Sequence, residues 1–184
     1  MKKSILRVIL VCLVGLVACN ESKEKNEVSS ATESKTVGQS GVKDETSKPN
    51  VVQIAVGSKD HTTLVAALQA AALVDVLSNA GPFTVFAPTN AAFDQLPAGV
   101  LTDLLKPENK EKLATILQYH VYVGVLNIDA LTNGRSLGMV DGGNIKVSVK
   151  NGKTYINGNA EIVASIPATN GVIHVVNQVL LPPK

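Results

Sequence analysis

The fold is decided by the stretch Phe83-Thr84-Val85-Phe86-Ala87-Pro88-Thr89-Asn90-Ala91-Ala92-Phe93. Its first five residues are rich in aromatic and β-branched side chains and end at Pro88, which is typical of a short buried strand. Thr89 or Asn90 then supplies a side-chain oxygen that can accept a hydrogen bond from a free amide at a helix start. The stretch therefore predicts a buried strand, a sharp end and a helical turn whose Phe93 points back to the core.

The residues before this stretch predict one buried helix. Asp60 is placed to cap it, and the run from Leu64 to Leu77 is broken in its apolar character only by Gln69 and Asp75. A helix that is apolar nearly all round is buried, and its alanines allow neighbouring elements to approach closely. We therefore expect it at the centre of the fold, ending at Asn79-Ala80-Gly81-Pro82.

A further helix is predicted to open at Asn109. Residues of its core face recur at i, i+3, i+4 and i+7. They are Leu113, Ile116, Leu117 and His120.

The second half of the chain predicts antiparallel sheet. Ile145, Val147 and Val149 alternate with polar residues, so one face of this strand is predicted to be buried and the other to face solvent. Asn151-Gly152 follows as a hairpin turn, because both residues of such a turn take positive φ, and Lys153 to Ile156 returns. Helices followed by sheet indicate an α+β fold rather than repeated βαβ units. Two more strands are predicted at Ile162 to Ile166 and Val172 to Val176, with the turn Asn170-Gly171 before the second.

The N-terminus carries a targeting pattern. Lys2, Lys3 and Arg7 precede an apolar run from Val8 to Ala18, which has signal-peptide length and is too short for a spanning helix. The run ends at Leu16-Val17-Ala18-Cys19, which resembles the cleavage box of bacterial lipoproteins. The resemblance implies that residues 1–18 are removed and that Cys19 carries lipid. An ordinary secretory signal with a chance cysteine is the alternative.

Residues 19–50 are predicted to form a tether. They alternate charged residues with Ser, Thr and Gly and hold too few apolar residues to offset the conformational entropy of folding. As a flexible coil, they would hold the domain at residues 51–184 about 30 Å from a lipid anchor. In the bacterial lipoproteins that this box resembles, an aspartate after the cysteine favours the inner membrane. Asn20 stands there in this chain, so the resemblance implies the outer membrane, at its periplasmic face or at the cell surface.

Composition excludes several classes of function. Of 17 basic residues, Lys2, Lys3 and Arg7 belong to the signal, leaving 14 against 15 acidic residues, so no broad basic face is expected. Aromatic residues make up 3% of the chain, which disfavours the stacking platforms of nucleic-acid binding. Cys12 lies in the predicted signal peptide and Cys19 is predicted to carry lipid, so the folded domain has no thiol that could form a disulfide.

Three stretches together resemble the fasciclin domain family and cover nearly all of residues 51–183. The first and last look like its two characteristic boxes, and the middle one contains its tyrosine-histidine pair. The resemblance implies a β-sandwich or wedge flanked by helices, used for adhesion and recognition at cell surfaces. The stretches are the opening one, Ile116-Leu117-Gln118-Tyr119-His120-Val121 and Thr169-Asn170-Gly171-Val172-Ile173-His174-Val175-Val176. The resemblance implies a set of motif residues that are structural and are also candidates for binding. They are Phe83, Thr84, Phe86, Pro88, Thr89, Asn90, Phe93, Tyr119, His120, Asn170, Gly171 and His174.

The histidines allow two hypotheses. His120 and His174 are predicted to be buried and neutral, with both ring nitrogens bonded to backbone or hydroxyl groups. The alternative is a zinc or copper site built from His61, His120 and His174, although no His-x-x-x-His spacing supports it. We expect no metal, no cofactor and no catalytic residue.

Three functions remain open at this stage. The leading one is a lipid-anchored, non-catalytic adhesion or recognition module, monomeric, whose partner is a protein or a polysaccharide. The second is a carrier of a small apolar ligand such as a pigment or lipid, which needs an apolar cavity. The third is a hydrolase, although the chain has neither a Gly-x-Ser-x-Gly elbow nor a phosphate-binding loop.

Overall fold

The structure, a computed structural model, describes residues 48–183. The predicted signal peptide, Cys19 and residues 20–47 of the predicted tether lie outside them. Within the described part, no helix combines the length and the apolar character needed to cross a bilayer. The helices there are α1 (Val51–Gly57), α2 (Thr62–Ala70), α3 (Val74–Ser78), α4 (Asn90–Asp94), α5 (Val100–Leu104) and α6 (Lys110–Gln118). The strands are β1 (Phe83–Pro88), β2 (Val121–Val123), β3 (Ser136–Gly138), β4 (Asn144–Lys150), β5 (Lys153–Ile156), β6 (Ala160–Ala168) and β7 (Gly171–Val176).

The strands form one seven-stranded sheet in the order β2-β1-β7-β6-β5-β4-β3. All neighbouring pairs are antiparallel except β1 and β7, which run parallel with Phe83 opposite Gly171. Helices occupy the first half and most strands the second, so the predicted α+β class is confirmed. The parallel pair was not predicted, because nothing in either strand states the direction of its partner.

Two cores lie on opposite faces of the central strands. Val85 and Ala87 of β1 pack with the helices, whereas Phe86 packs with side chains of β3, β4 and β5. Successive residues of a strand point to opposite faces, so β1 must be buried on both sides. The structure agrees, because the residues from Thr84 to Pro88 are all buried. The helices therefore cover one face of β1, and the far strands of the same sheet, β3 to β5, pack over its other face.

The predicted helix from Leu64 to Leu77 is wrong, because the chain breaks between α2 and α3. Ala72 has a φ of 58°. Around it, Leu73 N donates to Leu68 O and Ala72 N to Gln69 O, both at 3.0 Å, which is the Schellman arrangement of a helix end. Nor is the segment central, since Ala66, Ala70 and Val76 are exposed. Glycine, the usual residue at such an end, is absent, so the pattern gave no sign of the break.

The predicted cap at Asp60 is also wrong. Ser58 caps a 3₁₀ turn at Lys59–His61, and its hydroxyl oxygen accepts from Asp60 N at 3.3 Å. Helix α1 was not predicted, since four of its seven residues are valine or isoleucine, whose β-branched side chains disfavour helix. Its start is stabilised by a capping box: Gln53 N donates to Asn50 Oδ1 at 2.8 Å and Asn50 N to Gln53 Oε1 at 2.9 Å.

The predicted hairpin is confirmed. Asn151 and Gly152 have φ of 51° and 76° and join β4 to β5. A second Asn-Gly pair, at 157 and 158, has φ of 52° and 80° and joins β5 to β6. On β4, Ile145 and Val147 are buried as predicted, but Val149 is 39% exposed because the hairpin extends beyond the core.

Candidate functional site

The two boxes of the sequence, far apart in the chain, lie side by side as β1 and β7. Their closest approach is at the start of both strands, where Phe83 N donates to Asn170 O at 3.0 Å. A Cβ on Gly171, whose φ is 157°, would collide with the backbone of Phe83. Glycine is therefore required at this position for the strands to meet.

Asn170 joins three elements through one side chain. Its Oδ1 accepts from Val51 N at 2.9 Å, at the start of α1. Its Nδ2 donates to Leu77 O and Asn79 O, both at 2.8 Å, at the end of α3. The side chain thereby uses its acceptor and both donor hydrogens, and it fixes α1 and α3 to the turn before β7. The Asn170 backbone carbonyl binds the start of β1 at Phe83 N.

Thr84 and Phe86 serve the interior rather than a surface. The Thr84 side chain is fully buried, donates to Gly124 O at 2.7 Å and accepts from Leu126 N at 2.9 Å. Phe86 is buried with its ring centroid 5.6 Å from that of His174. Both residues hold the segment after β2 against the central strands.

His174 is fully buried and has both ring nitrogens bonded. Nε2 lies 2.8 Å from Leu126 O, and Nδ1 lies 2.7 Å from Ser165 Oγ on β6. Because a carbonyl only accepts, Nε2 carries the hydrogen and Nδ1 accepts from the serine hydroxyl. Burial lowers the pKa of His174, and the bond to Leu126 opposes this in part.

Tyr119 and His120 lie just beyond the end of α6, which stops at Gln118, so the prediction of His120 within the helix is wrong. His120 Nδ1 lies 2.7 Å from Ile116 O, and Leu180 N donates to Nε2 at 2.9 Å. Burial lowers the pKa of His120 to about 4. The Tyr119 hydroxyl donates to Asn144 O at 3.0 Å, so the pair joins α6 to the later strands and to the C-terminal segment.

The remaining residues of the first box form a helix start. Thr89 is the predicted cap of α4, and its hydroxyl accepts from Ala92 N at 3.3 Å. Asn90 Oδ1 accepts from Thr63 N at 3.0 Å, and Asn90 Nδ2 donates to Lys59 O at 3.0 Å. Pro88 and Phe93 are buried. These positions connect α4 to the start of α2.

The three histidines do not form a metal site. The ring nitrogens of His120 and His174 are used in the bonds above, and in residues 48–183 no three His, Cys, Asp or Glu side chains are grouped to hold an ion. His61 Nδ1 lies 2.8 Å from Ser58 Oγ, whereas its buried Nε2 has no partner in this part of the chain. Burial lowers the pKa of His61, and Asp60 raises it in part.

The void beside His61 is small. It lies between α1 and the sheet, is lined by side chains including Ala87, Ile166 and Ile173, and has a volume of about 20 Å³. That is room for about one water molecule. It is far below the roughly 300 to 1,000 Å³ of ligand sites, so this void does not favour the carrier hypothesis.

A larger groove of about 700 Å³ opens beside the starts of the two boxes. We name it the Asn170 groove. Asn170 and Gly171 are the motif residues on its wall, whereas the rest of its lining was not predicted. Pro82, Val125 and Pro167 contribute apolar surface. Amide side chains alternate with that surface, and they are Asn50, Gln53, Asn79, Asn127 and Asn170.

The groove has a firm wall and little charge. The bonds of Asn170 fix the wall formed by α1 and the end of α3, and Thr169 N donates to Pro49 O at 3.2 Å beside it. Lys48 is the charged residue of its described lining, which holds no carboxylate. The side chains of Asn79 and Asn127 make no hydrogen bond within residues 48–183. The groove therefore presents free amide groups beside apolar surface, a combination suited to an uncharged polar partner.

Comparison with known proteins identifies relatives of the whole domain. The family model of the fasciclin domain matches residues 59–182. Protein sll1483 of Synechocystis is 49% identical over 133 residues, which cover 72% of this chain and 73% of that protein. Immunogenic protein MPB70 of Mycobacterium bovis is 35% identical over 74% of this chain and 71% of its own length.

Animal proteins share the same domain. Transforming growth factor-beta-induced protein ig-h3 of Sus scrofa is 43% identical over 72% of this chain, which corresponds to 19% of its own length. A solved FAS1 domain pair from the insect cell adhesion molecule Fasciclin I has the same fold, with a TM-score of 0.58 and 19% identity over 72% of this chain and 51% of that one. On the family match and these identities together, the chain belongs to the fasciclin domain family.

Proposed function

We propose that the protein is a lipid-anchored, non-catalytic adhesion or recognition module, and that the Asn170 groove is its contact surface. One observation carries this proposal. Thr84, Asn170 and His174 of the two boxes make hydrogen bonds inside the domain, whereas the Asn79 and Asn127 side chains on the groove make none within residues 48–183. A firm exposed surface with free hydrogen-bonding groups suits binding more than chemistry.

The lining of the groove also limits the kind of partner. A partner rich in carboxylates or in ammonium groups would find one lysine and no acid in the described lining. Amide donors and acceptors beside proline and valine surfaces suit an uncharged polar chain, which is either a polysaccharide or a neutral protein segment. The name of the insect adhesion molecule with this fold agrees with such a role.

Recognition is tested by removing the free amides. Replacing Asn79 and Asn127 with alanine should weaken retention of the purified chain on neutral polysaccharides and on isolated bacterial envelopes at least tenfold, since two hydrogen bonds would be lost. Asn159→Ala is the matched control, because Asn159 is an exposed amide outside the groove. Equal retention of both variants would show that the groove is not the contact surface.

Anchoring is tested at Cys19. Cys19→Ser should release the protein from the membrane fraction into the soluble fraction, because no thiol remains for the lipid. Protease treatment of intact cells then distinguishes a domain at the cell surface from one in the periplasm. A Cys19→Ser protein that stays in the membrane fraction would contradict the anchor.

A further inference from the structure

Four Asn-Gly pairs occur in the domain, at 133–134, 151–152, 157–158 and 170–171. Such a pair is chemically reactive, because the glycine nitrogen can attack the carbonyl carbon of the preceding asparagine side chain. Glycine favours this attack since it has no side chain in the way. The reaction needs a mobile asparagine amide and a glycine nitrogen that is free to approach it. The structure decides which pairs meet these conditions.

Three of the four asparagines are held in place. Asn133 Oδ1 accepts from Val149 N at 2.9 Å, and the nitrogen of the following Gly134 donates to Val147 O at 2.9 Å. Asn157 Oδ1 accepts from Lys146 N at 3.0 Å, and its Nδ2 donates to the Tyr119 hydroxyl at 3.1 Å. The Asn170 side chain makes the three hydrogen bonds described above. Each of these bonds must break before the side chain can turn toward its glycine.

Asn151 differs from these three. It lies exposed at the tip of the β4–β5 hairpin, and its side chain has no hydrogen-bond partner in residues 48–183. The nitrogen of Gly152 is also without a hydrogen bond in this part of the chain. A Cβ placed on Gly152 would meet nothing within 4 Å, as is also true of Gly134 and Gly158, so the unbonded Asn151 side chain is what sets this pair apart.

Asn157 provides an internal comparison. Asn151 and Asn157 are both exposed, have φ of 51° and 52°, and precede glycines with φ of 76° and 80°. Both lie in tight turns between antiparallel strands. Their side chains differ, because that of Asn157 makes two hydrogen bonds and that of Asn151 makes none within residues 48–183.

We propose that Asn151 is a site of spontaneous deamidation and that hydrogen bonding protects the other three Asn-Gly pairs. Hydroxide removes the proton of the Gly152 nitrogen, and a bond forms from this nitrogen to Cγ of Asn151. The Cγ–Nδ2 bond then breaks as the leaving nitrogen takes a proton from water and departs as ammonia, which restores the hydroxide. Water then opens the five-membered ring at one of its two carbonyl carbons and gives aspartate or isoaspartate. The net change is the replacement of ammonia by water.

The modification changes the charge of the hairpin tip. Lys150 and Lys153 flank the turn and lie opposite each other in the β4–β5 ladder. A carboxylate at position 151 adds a negative charge next to Lys150 in the turn, whereas the Lys153 ammonium is already paired with Glu161 Oε1 at 2.7 Å. The isoaspartate product also lengthens the backbone of the turn by one carbon, which a two-residue hairpin turn does not accommodate without a change in geometry.

The test compares the four pairs in the folded and the denatured full chain. After incubation at mildly alkaline pH, peptide mapping by mass spectrometry with isoaspartate-sensitive fragmentation gives the modified fraction at each asparagine. In the folded chain we expect Asn151 to be modified about tenfold faster than Asn157, since two hydrogen bonds protect the latter. In urea all four pairs should react at similar rates, because their local sequences are alike.

Asn151→Gln is the control variant. Its larger ring forms more slowly, so modification at position 151 should be lost while the other three pairs keep their rates. Reaction of folded Asn157, Asn133 or Asn170 as fast as that of Asn151 would overturn the proposal. A modified fraction at Asn151 in the folded chain as low as that at the three hydrogen-bonded asparagines would overturn it as well.

Discussion

At the scale of single residues, the two buried histidines of the family motifs use opposite tautomers. His174 carries its hydrogen on Nε2, which donates to Leu126 O, and accepts at Nδ1 from the Ser165 hydroxyl. His120 carries its hydrogen on Nδ1, which donates to Ile116 O, and accepts at Nε2 from Leu180 N. The accepting nitrogen of His174 thus faces a hydroxyl that can rotate, whereas that of His120 faces a fixed backbone donor.

This difference predicts that His120 makes the fold sensitive to acid. Burial lowers the pKa of His120 from an ordinary value of 6.5 to about 4, so the unfolded chain binds a proton between these values that the folded chain does not. The contribution to stability is therefore complete above pH 6.5 and is lost as pH falls toward 4, by up to about 1.4 kcal/mol per pH unit. Urea unfolding at several pH values between 7 and 4 measures the slope.

His120→Gln is the comparison for that slope. The glutamine amide offers an acceptor to Leu180 N but does not titrate, so its stability should change less between pH 6.5 and 4. Burial lowers the pKa of His61 and His174 as well, and these residues act in the same direction, so part of the slope should remain. An unchanged slope in the variant would contradict the role of His120.

His174→Ala should destabilise the domain. The change leaves the Leu126 carbonyl without its donor in the interior, at a cost of roughly 1 to 3 kcal/mol, and a cavity beside Phe86 adds to it. Ser165→Ala removes the other hydrogen bond at an exposed position and should cost less. Urea midpoints of the two variants test this order, and a His174→Ala protein as stable as the wild type would refute it.

At the scale of elements, the break between α2 and α3 leads to a stabilising substitution. Ala72 occupies the left-handed region with a φ of 58°, which costs an L-residue about 1 to 2 kcal/mol and glycine little. Ala72→Gly should therefore raise the free energy of unfolding by about 1 kcal/mol. Ala66→Gly, at an exposed position inside α2, should lower it by about the same amount. Thermal unfolding of both variants checks the opposite signs.

The elements that the sequence predicted are those with strong local patterns. The buried strand at Phe83, the Asn151-Gly152 hairpin and the last two strands are confirmed. The break at Ala72 was missed because alanine normally extends a helix, and its left-handed conformation depends on tertiary packing. Strands β2 and β3 were missed because three residues are too few to show a period.

The candidate site was predictable to a smaller extent. The burial of His120 and His174 follows from their apolar neighbours, and the hydrogen bonds expected of both rings are confirmed. The Asn170 groove was not predicted, because its lining comes from segments that only the folded chain brings together. Asn79 and Asn127 are ordinary turn residues in the sequence, and nothing there indicates that they share a surface.

At the scale of the whole molecule, Asn170 connects the beginning of the domain to its end. Asn170→Ala removes hydrogen bonds to Val51 N, Leu77 O and Asn79 O and should lower the free energy of unfolding by about 3 kcal/mol. Loosening should be greatest in α1, so hydrogen exchange at Val51 should accelerate more than exchange in β4. Asn159→Ala is the control, and uniform acceleration across both elements would contradict a local role for Asn170.

The parallel pairing of β1 with β7 has a consequence for biogenesis. Strand β7 lies between β1 and β6, yet it comes from the last part of the chain. In a nascent chain, β1 is synthesised well before β7, the strand with which it pairs. Premature termination shortly before residue 171 would consequently remove the middle of the sheet rather than its edge, and β1 and β2 would lose their strand pairing to β3–β6.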